Sequence, residues 1–68
     1  MNKLKKYYIK GYFEHIKDKG EFYAMNLFEL LNNANINYYD LDIEQLDEEL
    51  NSTQTIFIGD YIIKLIEA

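Results

Sequence analysis

The chain contains no cysteine, arginine, valine, proline or tryptophan, one histidine and three glycines. Without cysteine, neither a disulfide nor a thiolate metal site can hold it together. With His15 as its sole imidazole, no Ser/His/Asp or Cys/His nucleophile arrangement can be built, and beside Glu14 and a lysine-rich run His15 reads as an exposed turn residue. Gly11, Gly20 and Gly59 are scattered, which excludes a glycine-rich loop that cradles phosphate. No apolar run approaches the roughly 18 residues of a membrane-spanning helix. The basic start (Lys3, Lys5, Lys6) passes through Tyr7, Tyr8 and Ile9 to Lys10, too short and too charged for a secretory signal, so a cytoplasmic protein without a membrane partner is expected.

What is present must therefore fold by packing or self-association. At 68 residues the chain is expected to form one domain (1–68), of a size that buries only about 60% of its unfolded surface. Its 49% hydrophobic content, with seven Tyr and four Phe, is too high for a disordered acidic tail.

Charge is sorted along the chain. Residues 1–19 hold six lysines against Glu14 and Asp18, while residues 20–68 hold ten carboxylates against Lys64 alone, within a net charge of −5. Six of the ten residues from Asp40 to Glu49 are acidic (Asp40, Asp42, Glu44, Asp47, Glu48, Glu49) and none is basic. Such a field bears on association more than on fold.

The elements follow from periodicity. Tyr7, Ile9, Gly11 and Phe13 fall on one face of an alternating stretch over residues 4–14, which predicts a strand, and Gly11 within it marks a bulge or a close backbone approach. Lys17-Asp18-Lys19-Gly20 reads as a turn. Two readings of the next stretch stay open. Residues 21–25 form a second strand paired with 8–14, followed by a helix from Leu27 to about Ala34 capped by Asn26 with Glu29 three residues on; or 21–34 is one helix. The first is preferred, because Phe22-Tyr23 after Lys-Gly is strand chemistry. Residues 37–43 alternate again, predicting a short strand or extended segment with Tyr39, Leu41 and Ile43 on one side, Leu41 and Ile43 reading as buried positions, and Tyr38, Asp40 and Asp42 on the other. Asp42 and Gln45 can cap a helix over roughly 43–50 with Ile43, Leu46 and Leu50 inward. Thr55–Ile58, Gly59-Asp60 and Tyr61–Ile66 predict a two-residue hairpin of type II′. The expected fold is α+β: an N-terminal β-hairpin, one or two short helices and a C-terminal β-hairpin in a mostly antiparallel sheet.

Candidate chemistry is sparse. Asp40-Leu41-Asp42-Ile43-Glu44 opens like a calcium loop, but Gln45 and Asn51 occupy the sixth and twelfth positions, where such a loop needs Gly and Glu. Exposed carboxylates supply no contrast of environment for acid/base catalysis. Lys3, Lys5, Lys6, Lys10, Lys17 and Lys19 interleave with Tyr7, Tyr8 and Tyr12 as a stacking surface for nucleic acid would, yet the net charge repels phosphate.

Leu30 to Asp42 resembles the first helix and second strand of a glutaredoxin, and Ile56 to Asp60 is similar to the hairpin after that family's cis-proline. No Cys stands at the redox position, Gln54 stands where the cis-proline would be, and the terminal helix is missing, so the resemblance implies at most a redox-inactive scaffold. In length, acidity, lack of Cys and a residue bias typical of AT-rich genomes, the chain resembles small phage-encoded anti-defence proteins such as anti-CRISPRs, which implies a stoichiometric blocker whose carboxylates stand in for nucleic-acid phosphates.

These readings converge on an expectation. The chain is not an enzyme and needs no cofactor or metal; it is a protein-binding inhibitor whose surface (Tyr38, Tyr39, Asp40, Asp42, Glu44, Asp47, Glu48, Glu49) docks on the basic, nucleic-acid-binding surface of a larger protein, with no direct contact to nucleic acid. The alternatives are a structural or assembly protein acting by self-association, monomer or homodimer being open, and the redox-inactive scaffold.

Overall fold

In the computed structural model, which describes residues 4–67, most of the alternating stretches pair as strands and the 3.6-period stretches coil as helices. The order is β1 (Lys5–Gly11), β2 (Gly20–Ala24), α1 (Leu27–Ala34), α2 (Ile43–Thr53), β3 (Thr55–Ile58) and β4 (Tyr61–Glu67). The strands form one antiparallel sheet in the order β2-β1-β4-β3, so the long strands β1 and β4 lie at its centre. Both helices cover the same face, where Tyr7 and Ile9 of β1, Ile63 and Leu65 of β4, Ile56 and Ile58 of β3 and Ala24 of β2 meet Leu27, Leu30, Leu31 and Leu50. No described helix is long and apolar enough to cross a membrane. The fold is α+β, with hairpins at both ends, as expected.

Local chemistry sets the helix ends. Asn26 accepts the Glu29 N–H (2.9 Å), and the Glu29 carboxylate accepts the Met25 N–H (3.0 Å), one residue before the N-cap. Asn35 closes α1 at φ 62°, with Ile36 N–H bonded to the Leu31 carbonyl and Ile36 buried beside the helix, a Schellman end with Asn in place of Gly. Asp42 accepts the Gln45 N–H (3.3 Å) to open α2, which runs three residues beyond the expected end before Gln54 closes it at φ 68°. At the second hairpin Gly59 has φ 58° while Asp60 keeps a negative φ, the type II′ pattern.

Three expectations are corrected. The first hairpin pairs Lys5–Ile9 with Gly20–Ala24, not 21–25 with 8–14. The chain leaves β1 at Gly11, where a Cβ would overlap the Ile16 carbonyl, and Asp18 takes the Gly11 N–H (2.9 Å), so residues 12–19 make a long loop and Phe13 is exposed instead of buried. Residues 37–43 form no strand. Asn37 accepts the Tyr39 N–H (3.1 Å) and Leu41 N–H bonds the Tyr38 carbonyl (3.2 Å), and these local turns outcompete the alternation. The second strand that the glutaredoxin resemblance implies there is thus not formed.

Candidate protein-binding surface

The loop between α1 and α2 and the outer side of α2 bring most of the expected residues together. Tyr38 is half-buried; its hydroxyl donates to Asn32 Oδ1 (2.9 Å) and its ring stands edge-on to Phe28 (5.4 Å between centroids). Tyr38, expected as an exposed anchor, is therefore a fixed and partly buried wall, whereas Tyr39, the other expected anchor, is 88% exposed. Leu41, expected inward, is exposed, as is Phe28 on the outer side of α1. Phe28, Tyr38, Tyr39 and Leu41 line a shallow depression of about 570 Å³ whose rim carries Asp42 and Glu44. A second depression of about 270 Å³ lies beside it between Asp40, Leu46 and Glu49.

The carboxylates divide into two sets. Asp42 caps α2, and half-buried Asp47 accepts the N–H of Leu27 across the helix pair (3.1 Å), which anchors the start of α1 to α2. Among the described residues Asp40, Glu44, Glu48 and Glu49 are exposed and hold no ion pair or side-chain hydrogen bond, and the one ion pair joins Lys6 to Glu21 (3.5 Å). Glu44 and Glu48 stand one turn apart on α2 and face solvent, and Lys5 of β1 reaches the same helix further along, where its ammonium donates to Asn51 Oδ1 (3.0 Å). Among the described residues no group of three or more carboxylate or imidazole side chains is placed to hold a metal ion.

Beneath this layer lies Tyr7. Its ring is fully buried, and its hydroxyl has no hydrogen-bond partner among the described residues. Burial pushes the hydroxyl up to about 12, and the charges of Asp47 and Glu29 add to the shift. His15 lies away from the acidic surface, stacked on Phe13 in the 12–19 loop (5.8 Å).

The expected surface lacked Phe28 and Leu41 and included Asp47, which instead turns toward the Leu27 N–H. Signals for two of them were present. Phe28 falls off the Leu27, Leu30, Leu31, Ala34 stripe, and Asp47 falls on the stripe of Ile43, Leu46 and Leu50 at helical spacing. Leu41 left none. Set against known proteins, the chain significantly matches no family model, no curated protein and no solved structure.

Proposed function

We propose that the chain is a non-catalytic inhibitor that docks its acidic, aromatic surface onto a basic, nucleic-acid-binding surface of a larger protein. One observation carries the reading: among the described residues Asp40, Glu44, Glu48 and Glu49 form no ion pair, and the exposed rings of Tyr39 and Phe28 stand beside Glu44. Uncompensated carboxylates around an apolar centre attract a positive surface and discriminate against an acidic one. Tyr39 supplies a large side chain with few rotors, the kind that anchors interfaces. Asp42 and Asp47 serve this surface indirectly, because they hold the helices that carry it. The blocking mode implied by the resemblance to phage anti-defence proteins fits the same geometry.

The test starts with the proteins that the immobilised chain retains from an extract of its own cell. The retained protein is expected to lose its grip on nucleic acid as the chain is added, and the variant Glu44→Gln/Glu48→Gln/Glu49→Gln is expected to release it. Simultaneous binding of nucleic acid and chain would contradict the proposal.

A further inference from the structure

The face of the sheet turned away from the helices is not the polar face expected where an antiparallel sheet meets water. Every strand contributes a large apolar or aromatic side chain to it: Tyr23 from β2, Tyr8 from β1, Ile62 from β4 and Phe57 from β3. Tyr23 is 57% exposed and Phe57 61%, and Tyr12 extends the patch by standing edge-on to Phe57 (5.5 Å). Lys6, Lys10 and Lys64 lie among these rings, with Glu21, which pairs with Lys6 of its own chain (3.5 Å), with Glu67, and with Asp18, which accepts the Tyr8 hydroxyl (2.8 Å).

We propose that this face is the interface of a two-fold symmetric dimer, covered by a second copy of the chain. The register of the central strands identifies the occupant. Lys6 lies beside Glu67, Tyr8 beside Lys64 and Lys10 beside Ile62 across β1 and β4. A two-fold axis between these strands and parallel to them lays β1 of one copy over β4 of the other, so each residue meets the copy of its own lateral neighbour. Lys6 then faces the second copy's Glu67, the Tyr8 ring faces its Lys64 ammonium, and the Lys10 stem lies along its Ile62. Glu21 faces the uncharged Thr55, which is level with it across the sheet. An axis across the strands at Tyr8 would instead set Lys64 on Lys64 and Lys6 on Lys10. Charge complementarity thus selects one arrangement, a sandwich of two sheets about 10 Å apart.

The area suffices: a standard interface takes about 800 Å² from each partner, roughly a sixth of this chain's 4880 Å². Both acidic helix layers stay outward in the dimer, so this inference does not depend on the proposed function.

Sedimentation of the full chain from roughly 1 μM to 1 mM tests it. The expected species has twice the monomer mass of 8.2 kDa. Phe57→Lys, at an exposed position, should weaken the dimer by at least about tenfold while leaving the circular dichroism spectrum unchanged. Lys6→Glu alone and Glu67→Lys alone should each dissociate, and an equimolar mixture of the two should dimerise again, because each variant supplies the charge that the other lacks. Glu44→Gln/Glu48→Gln should dimerise like the wild type. A monomer at every concentration, folded variants that fail to rescue one another, association lost with the helix-face variant, or a single-stranded oligonucleotide bound on this face by the monomer would each overturn the dimer.

Discussion

Asp47 and Tyr7 lie near one another and act on the fold in opposite senses. The Asp47 carboxylate holds the Leu27 N–H at the start of α1, a bond spanning 20 residues of sequence. Asp47→Ala is expected to destabilise the domain by about 1 kcal/mol in urea titration, as the loss of an N-terminal cap does, whereas Glu48→Gln should stay within about 0.5 kcal/mol. Equal midpoints for the two variants would show that Asp47 is only a solvated charge. Tyr7 is the converse case, since its buried hydroxyl lacks a partner among the described residues. Tyr7→Phe removes a desolvated polar group and should leave stability unchanged or raise it by about 1 kcal/mol. The same residue makes a pH prediction. Its folded value of about 12 lies above the ordinary 10.0, so its contribution is complete below about pH 10 and is lost as pH rises toward 12. Thermal midpoints followed from pH 8 to 12 should therefore fall less in Tyr7→Phe than in the wild type; superimposable profiles would refute the assignment.

At the scale of elements, what could be read in the sequence was what nearby residues decide. The caps Asn26 with Glu29 and Asp42 with Gln45, and the turn Gly59-Asp60, each close within four residues, and all three form. The hairpin turn makes its own prediction: Gly59 sits at φ 58°, a region that a β-branched side chain resists, so Gly59→Val should lower stability by roughly 1–3 kcal/mol in thermal or urea unfolding. An unchanged midpoint would count against the turn. Where groups further along the chain decide, the sequence showed only part. Strand β1 ends at Gly11 because the Ile16 carbonyl packs against it and Asp18 captures its N–H; Gly11 itself signalled the close backbone approach, but the alternation still carried the expected strand on to Phe13. Asn37 is a different failure. Its side chain turns the backbone at Tyr39 by a bond two residues long, so the competitor was local but the alternation of 37–43 masked it.

The whole molecule is a two-layer domain whose layers differ in character. The helix layer carries the acidic stretch with exposed Tyr39, Phe28 and Leu41, and the outer sheet face carries lysines among aromatic rings. The fold class was legible because each segment's period matches the element it forms. The acidic surface was legible as charge and only in part as shape: the helical stripes set Phe28 outward and Asp47 inward, whereas nothing in the sequence marks Leu41 as exposed. The central claim is that the charges left over after capping attract a positive partner. It is tested most directly by association rates with the isolated partner, measured from about 50 to 300 mM salt for the wild type and for Glu44→Gln/Glu48→Gln/Glu49→Gln. The variant is expected to associate more slowly at low salt, the wild type to slow more steeply as salt rises, and the two to converge at high salt. Equal rates with equal salt slopes would contradict it and leave Glu44, Glu48 and Glu49 as a solvated helix face.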